Sequence, residues 1–526
     1  MSNDMKRNDF DDDERAYRQA AEARRQRRLK KRRHERNMRI LFITILVVII
    51  AAAAAAAVFL TRDRSGSGGG STQDAPVQET APAEDSVQII TEAPVQTEPA
   101  TEAPEPVTEV QTESQSDVLA QAETMALGYD YEGAIALLQS VPGYESDPSI
   151  TQAIAQYQAD LDSCVPVDPL TVPHIFYHSL INDTDSAFNV SVLGENAVNG
   201  MNAWMTTVEE FDKITQQMYD NGYVFVRLRD LVVETTDENG NVHFEPNNNL
   251  LLPPDKKAVV LSVDDLSYYH SYEAASYPDK LVLDENGKVK CHYVKPDGTE
   301  EIGDFDVVPR LNTFLEEHPD GAYKGARGMI ALTGYNGVFG YRTDTDYRDK
   351  LNLMSDQAQW LEEHPEFSWE EDVEQAKIIA QALKDEGWEF ASHTWGHLSV
   401  TNKTADELRV DNEKWVNTVE NIVGPVDTII FAHGNDIGDW TGYSADNEKY
   451  QYFKSAGYNF YCNVDSSTPY WVQITGDYVR QGRIDLDGYQ LYQASQGLTT
   501  VLDGMFTASE VFDTRRPTPV VANGEA

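Results

Sequence analysis

Eight short apolar runs, at residues 174–177, 223–228, 258–263, 328–332, 389–391, 428–432, 458–463 and 479–484, punctuate the larger, C-terminal part of this chain. Between them, residues 208–221, 307–318, 369–386 and 405–423 place apolar side chains three and four apart, the helical spacing, and Thr404 stands where the last would be N-capped. Buried runs alternating with amphipathic helices predict parallel strands joined by helical crossovers. About eight such alternations over residues 166–526 predict an α/β fold, a deformed (β/α) barrel. Residues 280–303 interrupt the alternation with Asp-Glu-Asn-Gly and Pro-Asp-Gly turns, which predict a hairpin inserted after the third run.

Upstream the pattern changes three times. Residues 116–165 show helical spacing at Leu119, Ala122, Met125 and Ala126, again at Ala134, Ile135, Leu137 and Leu138, and once more over 150–161. The Gly128-Tyr129-Asp130-Tyr131 turn between the first two helices makes this a tetratricopeptide-like α-helical hairpin with one extra helix. A single copy is short of the roughly three repeats a solenoid needs, so it is expected to pack on its neighbour rather than bind a peptide. Residues 61–115 are rich in Pro, Glu, Thr, Gln and Ser and read as a disordered acidic linker. Residues 40–60 form an uncharged apolar run, long enough to span a bilayer core of about 30 Å at about 1.5 Å per residue.

Charge adds orientation. Residues 1–39 carry 14 Lys/Arg against 8 Asp/Glu, and the remainder carries 28 against 79. Basic residues before the apolar run keep that end cytoplasmic and send the rest outward. The run exceeds the roughly 7–15 residues of a signal-peptide core, so an uncleaved transmembrane helix is expected rather than a cleaved leader. The predicted location is therefore the cell membrane: single-pass, N-terminus cytoplasmic, catalytic part extracellular. A strongly acidic exterior excludes nucleic acid as a partner. Cys164, Cys291 and Cys462 are isolated and odd in number, so they form no disulfide framework, which suits a bacterial surface.

Two strings carry chemistry. Ser262-Val263-Asp264-Asp265 ends the third run, and His393-Thr394-Trp395-Gly396-His397 follows the fifth. Strand ends are where α/β folds gather site residues. Two imidazoles and two carboxylates supply enough ligands for one divalent metal plus a free base.

These strings resemble the first two motifs of the polysaccharide deacetylases (carbohydrate esterase family 4, NodB-homology domain), a likeness covering residues 173–512. It implies a metal site of Asp265, His393 and His397, zinc being the expected ion, and Asp264 as the general base that takes a proton from the attacking water. Pro173-His174-Ile175-Phe176-Tyr177-His178-Ser179 resembles the segment that opens the circularly permuted members, which implies His178 as the acid protonating the leaving amine. His174 is the competing candidate. The third motif departs from the family pattern, reading Phe431-Ala432-His433-Gly434-Asn435-Asp436, with His433 or Asn435 as oxyanion donor. No histidine follows His433.

Arg483 either orients Asp264 through an ion pair or makes a structural salt bridge. Trp395 is expected to line a substrate groove. The aromatic stretches 450–460 and 468–471 are expected to fill core and strand faces, with stacking on sugar rings as the alternative. The expected activity is removal of N-acetyl groups from a cell-envelope polysaccharide, peptidoglycan or another N-acetylglucosamine-containing glycan. An O-acetyl esterase and a silent glycan-binding or assembly protein are the alternatives, and oligomeric state stays open.

Overall fold

Seven of the eight apolar runs close into one parallel ring. In chain order they are β1 His174–Tyr177, β2 Lys257–Asp264, β3 Met329–Leu332, β4 Glu389–Ser392, β5 Thr428–Ile430, β6 Phe460–Val464 and β7 Val479–Asp485. The computed structural model describes residues 115–522 apart from 239 and 274. Each strand pairs with the next, and β7 returns to β1 through Ile484↔Ile175 and Asp485↔Phe176, so the barrel has no open edge. Helices Val208–Asp220, Val307–Glu317, Trp369–Asp385 and Ala405–Trp415 occupy the connections. Leu261, Val263, Ile330, Leu332 and Phe390 share a core cluster with helix residues Phe211, Leu311 and Leu383.

The remaining run is shorter than the sequence suggests. Tyr223–Phe225 pairs with the first half of β2, Tyr223↔Lys257 to Phe225↔Val259, while β3 takes the second half from Ser262 to Asp264. Two short strands thus share one side of an eight-residue strand, and the ring closes with seven. Asp230 stops the Tyr223 run: its carboxylate accepts the Arg227 N–H at 2.8 Å and opens a single helical turn over Leu228–Leu231.

Two other elements differ from expectation. The 280–303 insertion is a three-stranded antiparallel meander, Lys280–Leu283, Val289–Val294 and Glu300–Gly303, because each Gly turn signal makes its own reversal (Gly287 at φ 75°, Gly298 at φ 83°). The 405–423 helix is capped as expected, with Thr404 and Glu407 bonding each other's backbone N–H, but it widens into a π-type turn over Val416–Glu420. There the Thr418 hydroxyl bonds the Lys414 carbonyl, and the buried Trp415 indole donates to the last carbonyl of β3, Leu332 O, at 2.7 Å.

Helices Gln115–Leu127, Tyr131–Gln139 and Pro148–Ser163 precede the barrel. Ala122, Ala134, Leu138 and Ile150 share an apolar cluster with residues near the strand starts, including Ala258, Val260 and Met329. Polar ties fix the contact: Tyr129 Oη donates to Asp320 O at 2.7 Å, and Lys324 Nζ lies 3.0 Å from Asp130. No helix long and apolar enough to cross a membrane occurs among the described residues; the expected 40–60 span and all of the expected 61–115 linker but its last residue, which opens the first helix, lie outside them.

One buried acid gives the fold a pH dependence. Asp344 is 2 % exposed and precedes a short helix without capping it; burial, with Asp346 adding like charge, pushes its carboxyl up to about 7. The unfolded chain releases that proton at lower pH than the fold does, so stability is lost as pH rises from about 4 toward 7. Asp344→Asn is expected to raise the thermal midpoint near pH 8 and leave it unchanged near pH 4. A difference independent of pH would rule this assignment out.

Candidate functional site

Every strand of the ring ends at the same rim, and the polar residues follow there. Asp264 closes β2, Asp265 comes next, His393 follows β4 and His178 lies one residue past β1. Asp265, His393 and His397 each offer a ligand atom, and the three lie within 4.8 Å of one another. His397 Nε2 is 3.4 Å from Asp265 Oδ2. Neighbours hold each ligand in place. His393 Nδ1 donates to Ile430 O at 2.8 Å, which leaves its Nε2 lone pair free. Tyr269 Oη donates to Asp265 Oδ1 at 2.7 Å while sitting 2.5 Å from Thr333 Oγ1, so Oδ2 is the oxygen left to face the histidines. A carboxylate and two imidazoles so arranged fit a divalent ion such as zinc, with coordination room for water.

The loop between the two histidines is pinned by a residue that sequence reasoning passed over. Asp411 accepts the Trp395 and Gly396 N–H groups at 2.7 and 2.9 Å, and Thr394 Oγ1 accepts from Leu398 N at 2.7 Å. Asp265, Thr394, His397 and His433 all adopt positive φ, between 50° and 63°. Such backbone costs about 1–3 kcal/mol per residue and gathers at functional sites.

Asp264 sits in a different environment. Arg483 donates to both its carboxylate oxygens, at 2.7 and 2.9 Å, and also to Ser262 Oγ at 3.1 Å. Burial alone would push this carboxyl up, but the guanidinium, helped by His393, holds it well below the usual carboxylate range. Arg483 thus makes the ion pair to Asp264 inside the barrel. The chain of bonds continues inward. Gln481 Nε2 donates to Val172 O, His174 Nδ1 donates to Gln481 Oε1 at 3.0 Å, and His174 Nε2 accepts from the Ser262 hydroxyl at 3.0 Å. Burial, then Arg483, push His174 down to about 3. With both ring nitrogens engaged and no exposed surface, His174 is tied to Arg483 through Ser262 and stands outside the cleft lining.

His178 is the histidine that reaches the cleft, a cavity of about 480 Å³ lined also by Asp264, Asp265, His393, His397 and Arg483. Its buried Nδ1 has no hydrogen-bond partner. Phe176, Met205 and Val464 give the cleft an apolar wall, and Trp204 and Tyr272 also line it. Asp485, another lining residue, is pushed well above the usual range by burial and by the neighbouring Asp487.

The oxyanion candidates are otherwise occupied. His433 lines the cleft, but its Nε2 donates to His397 O at 3.1 Å. Asn435 Nδ2 donates to His433 O and its Oδ1 accepts from Ser399, which makes it a strut of the turn. Trp395 stands outside the cleft lining. Its indole packs over Gly334, where an added Cβ would meet Cδ1 at 2.3 Å, and Lys414 Nζ lies 3.8 Å from its ring centre. Tyr269, Thr333, Asp411, Trp204 and Met205 were missed by sequence reasoning; the dense tyrosines just after Asp265 are the one signal that pointed to Tyr269.

No family model matches the chain, and no curated protein does. Among solved structures it is similar to a Streptococcus pyogenes deacetylase, PplD, in complex with acetate, at 14% identity and a TM-score of 0.29, covering 62% of this chain and 98% of that one.

Proposed function

We propose that the chain is a metal-dependent hydrolase removing N-acetyl groups from a cell-envelope polysaccharide, peptidoglycan being the nearest, and that residues 40–60 anchor it in a bacterial membrane with the barrel outside. The observation that carries this reading is one rim holding three convergent ligand atoms, Asp265, His393 and His397, beside a carboxylate, Asp264, kept ionised by a buried arginine.

Asp265, His393 and His397 would hold a divalent ion, which would supply Lewis-acid polarisation of the acyl carbonyl and acidify the attacking water. Asp264 takes the proton from that water, and Arg483 fixes both its oxygens so that it stays charged and in one orientation. His178, lining the same cleft, returns a proton to the leaving nitrogen. Phe176, Met205 and Val464 receive the acetyl methyl and keep bulk water from the reacting carbon.

The test is acetate release by the full chain with added zinc, on peptidoglycan, chito-oligosaccharide and acetylated xylan, with a chelator control. Release from the first two, lost with chelator, is the expected result. His178→Ala is expected to lower that rate by about 10²–10⁴-fold with zinc content unchanged. Release from xylan alone would move the reading to an O-acetyl esterase. No release and no bound metal would leave a glycan-binding protein.

A further inference from the structure

The largest cavity described lies beside the catalytic cleft, and the proposed chemistry leaves it unused. It measures about 750 Å³ and is lined by parts of the meander and by the segment around Arg342. One wall is shared: Tyr272 lines the cleft, Tyr277 lines the cavity, and their rings are 5.1 Å apart.

The charged groups in this cavity are unevenly satisfied. Its acids are all engaged. Glu273 lies 2.7 Å from His270 Nδ1, Asp279 lies 2.6 Å from His292 Nδ1, and Asp372 accepts the Arg342 backbone N–H at 2.7 Å. Lys295 is paired with Glu301 at 2.5 Å. Two donors remain. Arg342 is 3 % exposed; Nη1 donates to Tyr268 O, and Nη2 lies 3.4 Å from His270 Nδ1 and 3.8 Å from Glu273, yet its buried Nε has no partner. Lys280 lines the same cavity, near the Asp372 charge, and its ammonium makes no hydrogen bond or ion pair among the described residues. A buried guanidinium N–H without an acceptor is costly, and a partly buried ammonium lining the same cavity calls for an anion rather than a further cation.

We propose that this cavity binds a carboxylate carried by the polymer whose acetyl group enters the neighbouring cleft, with Arg342 and Lys280 as its donors. The walls suit such an appendage. Val192, Val294, Pro296 and Trp360 give apolar surface around the two cations, and Trp360 is held flat by His364 at 4.2 Å. A neutral chitin-like chain offers nothing to these donors, whereas a glycan bearing sugar-acid or peptide carboxylates does. The inference rests on the hydrolase reading only for the identity of the polymer.

The test is calorimetric titration of the full chain with di-N-acetylchitobiose, N-acetylmuramic acid, its methyl ester, muramyl dipeptide, and the dipeptide ester. The acids are expected to bind at least about tenfold more tightly than their esters, the lower range for a charged hydrogen-bonded contact. Lys280→Ala is expected to erase that preference while leaving chitobiose affinity unchanged. Tight binding of N-acetylmuramic acid alone assigns the sugar-acid carboxylate, which the dipeptide holds as an amide; tight binding of the dipeptide alone assigns the peptide carboxylate, and tight binding of both shows that either carboxylate reaches the two donors. Equal binding of acid and ester, or a preference that survives Lys280→Ala, would overturn the proposal. Because the readout is binding, a chain that never releases acetate yet keeps the preference sinks the hydrolase reading alone.

Discussion

Asp264→Asn is expected to lower acetate release by at least about a thousandfold while zinc content stays at the wild-type level, within the 10²–10⁴-fold range of a lost general base. The reason lies in how the two adjacent carboxylates are separated. Asp265 faces the histidines and is tied by Tyr269, whereas Asp264 turns to Arg483 and shares no hydrogen bond with the ligand set. His393 Nε2 stands 3.8 Å from Asp264 Oδ2, too far for a hydrogen bond and near enough for a shared water. An amide keeps the shape but cannot take a proton. It also leaves the 0 % exposed Arg483 without its counter-charge, a loss of about 3–5 kcal/mol when one partner of a buried pair is removed. Urea unfolding must therefore accompany the rate. A variant that stays folded at assay temperature, holds zinc and still releases acetate at a tenth of the wild-type rate would remove Asp264 from the chemistry.

Much of this was legible in the chain because strand ends are legible. Leu261 to Asp265 and Glu389 to His393 each pass from apolar to ionisable within one or two residues, and in a barrel those points converge on one rim. The choice between His174 and His178 was not legible, since both fall on the same side of an alternating strand. What separates them is that β1 ends at Tyr177: His174 is locked into the barrel interior by Gln481 and Ser262, and His178 stands free at the rim. Trp395 misled for a similar reason. Its position between two candidate ligands suggested a groove, but Asp411, from a helix that follows in sequence, grips the consecutive Trp395 and Gly396 N–H groups. The indole therefore packs against Gly334 and Lys414. Asp411, Trp204 and Met205 carry no local pattern at all; their roles come from where distant loops land. The seven-for-eight strand count likewise depended on β2 being long enough for two partners, a fact of register.

Glu210→Ala is expected to destabilise the barrel by about 3–5 kcal/mol and to raise KM for glycan substrates, with zinc content unchanged. Glu210 and Arg516 are both fully buried, joined by Nη2–Oε2 and Nε–Oε1 contacts of 2.5 and 2.7 Å. The same glutamate closes the capping box with Thr207 and accepts the Asp513 N–H at 2.9 Å, so one side chain ties the C-terminal segment to the start of helix Val208–Asp220. Removing it strands a guanidinium with no route to water. The effect reaches the cleft because Arg516 also donates to Asn202 O at 2.9 Å and to Met205 O at 2.7 Å, the backbone on either side of Trp204. Met205 and Trp204 form the cleft wall, so a loosened latch moves the surface that receives substrate and leaves Asp265, His393 and His397 in place. Paired replacement, Glu210→Leu with Arg516→Met, separates the two consequences. Apolar partners of similar volume commonly restore the stability of a buried pair, but they cannot restore the bonds to Asn202 O and Met205 O. Urea midpoints that recover while KM stays high would place the arginine's second role in the cleft wall. Full recovery of both would show that the latch serves stability alone.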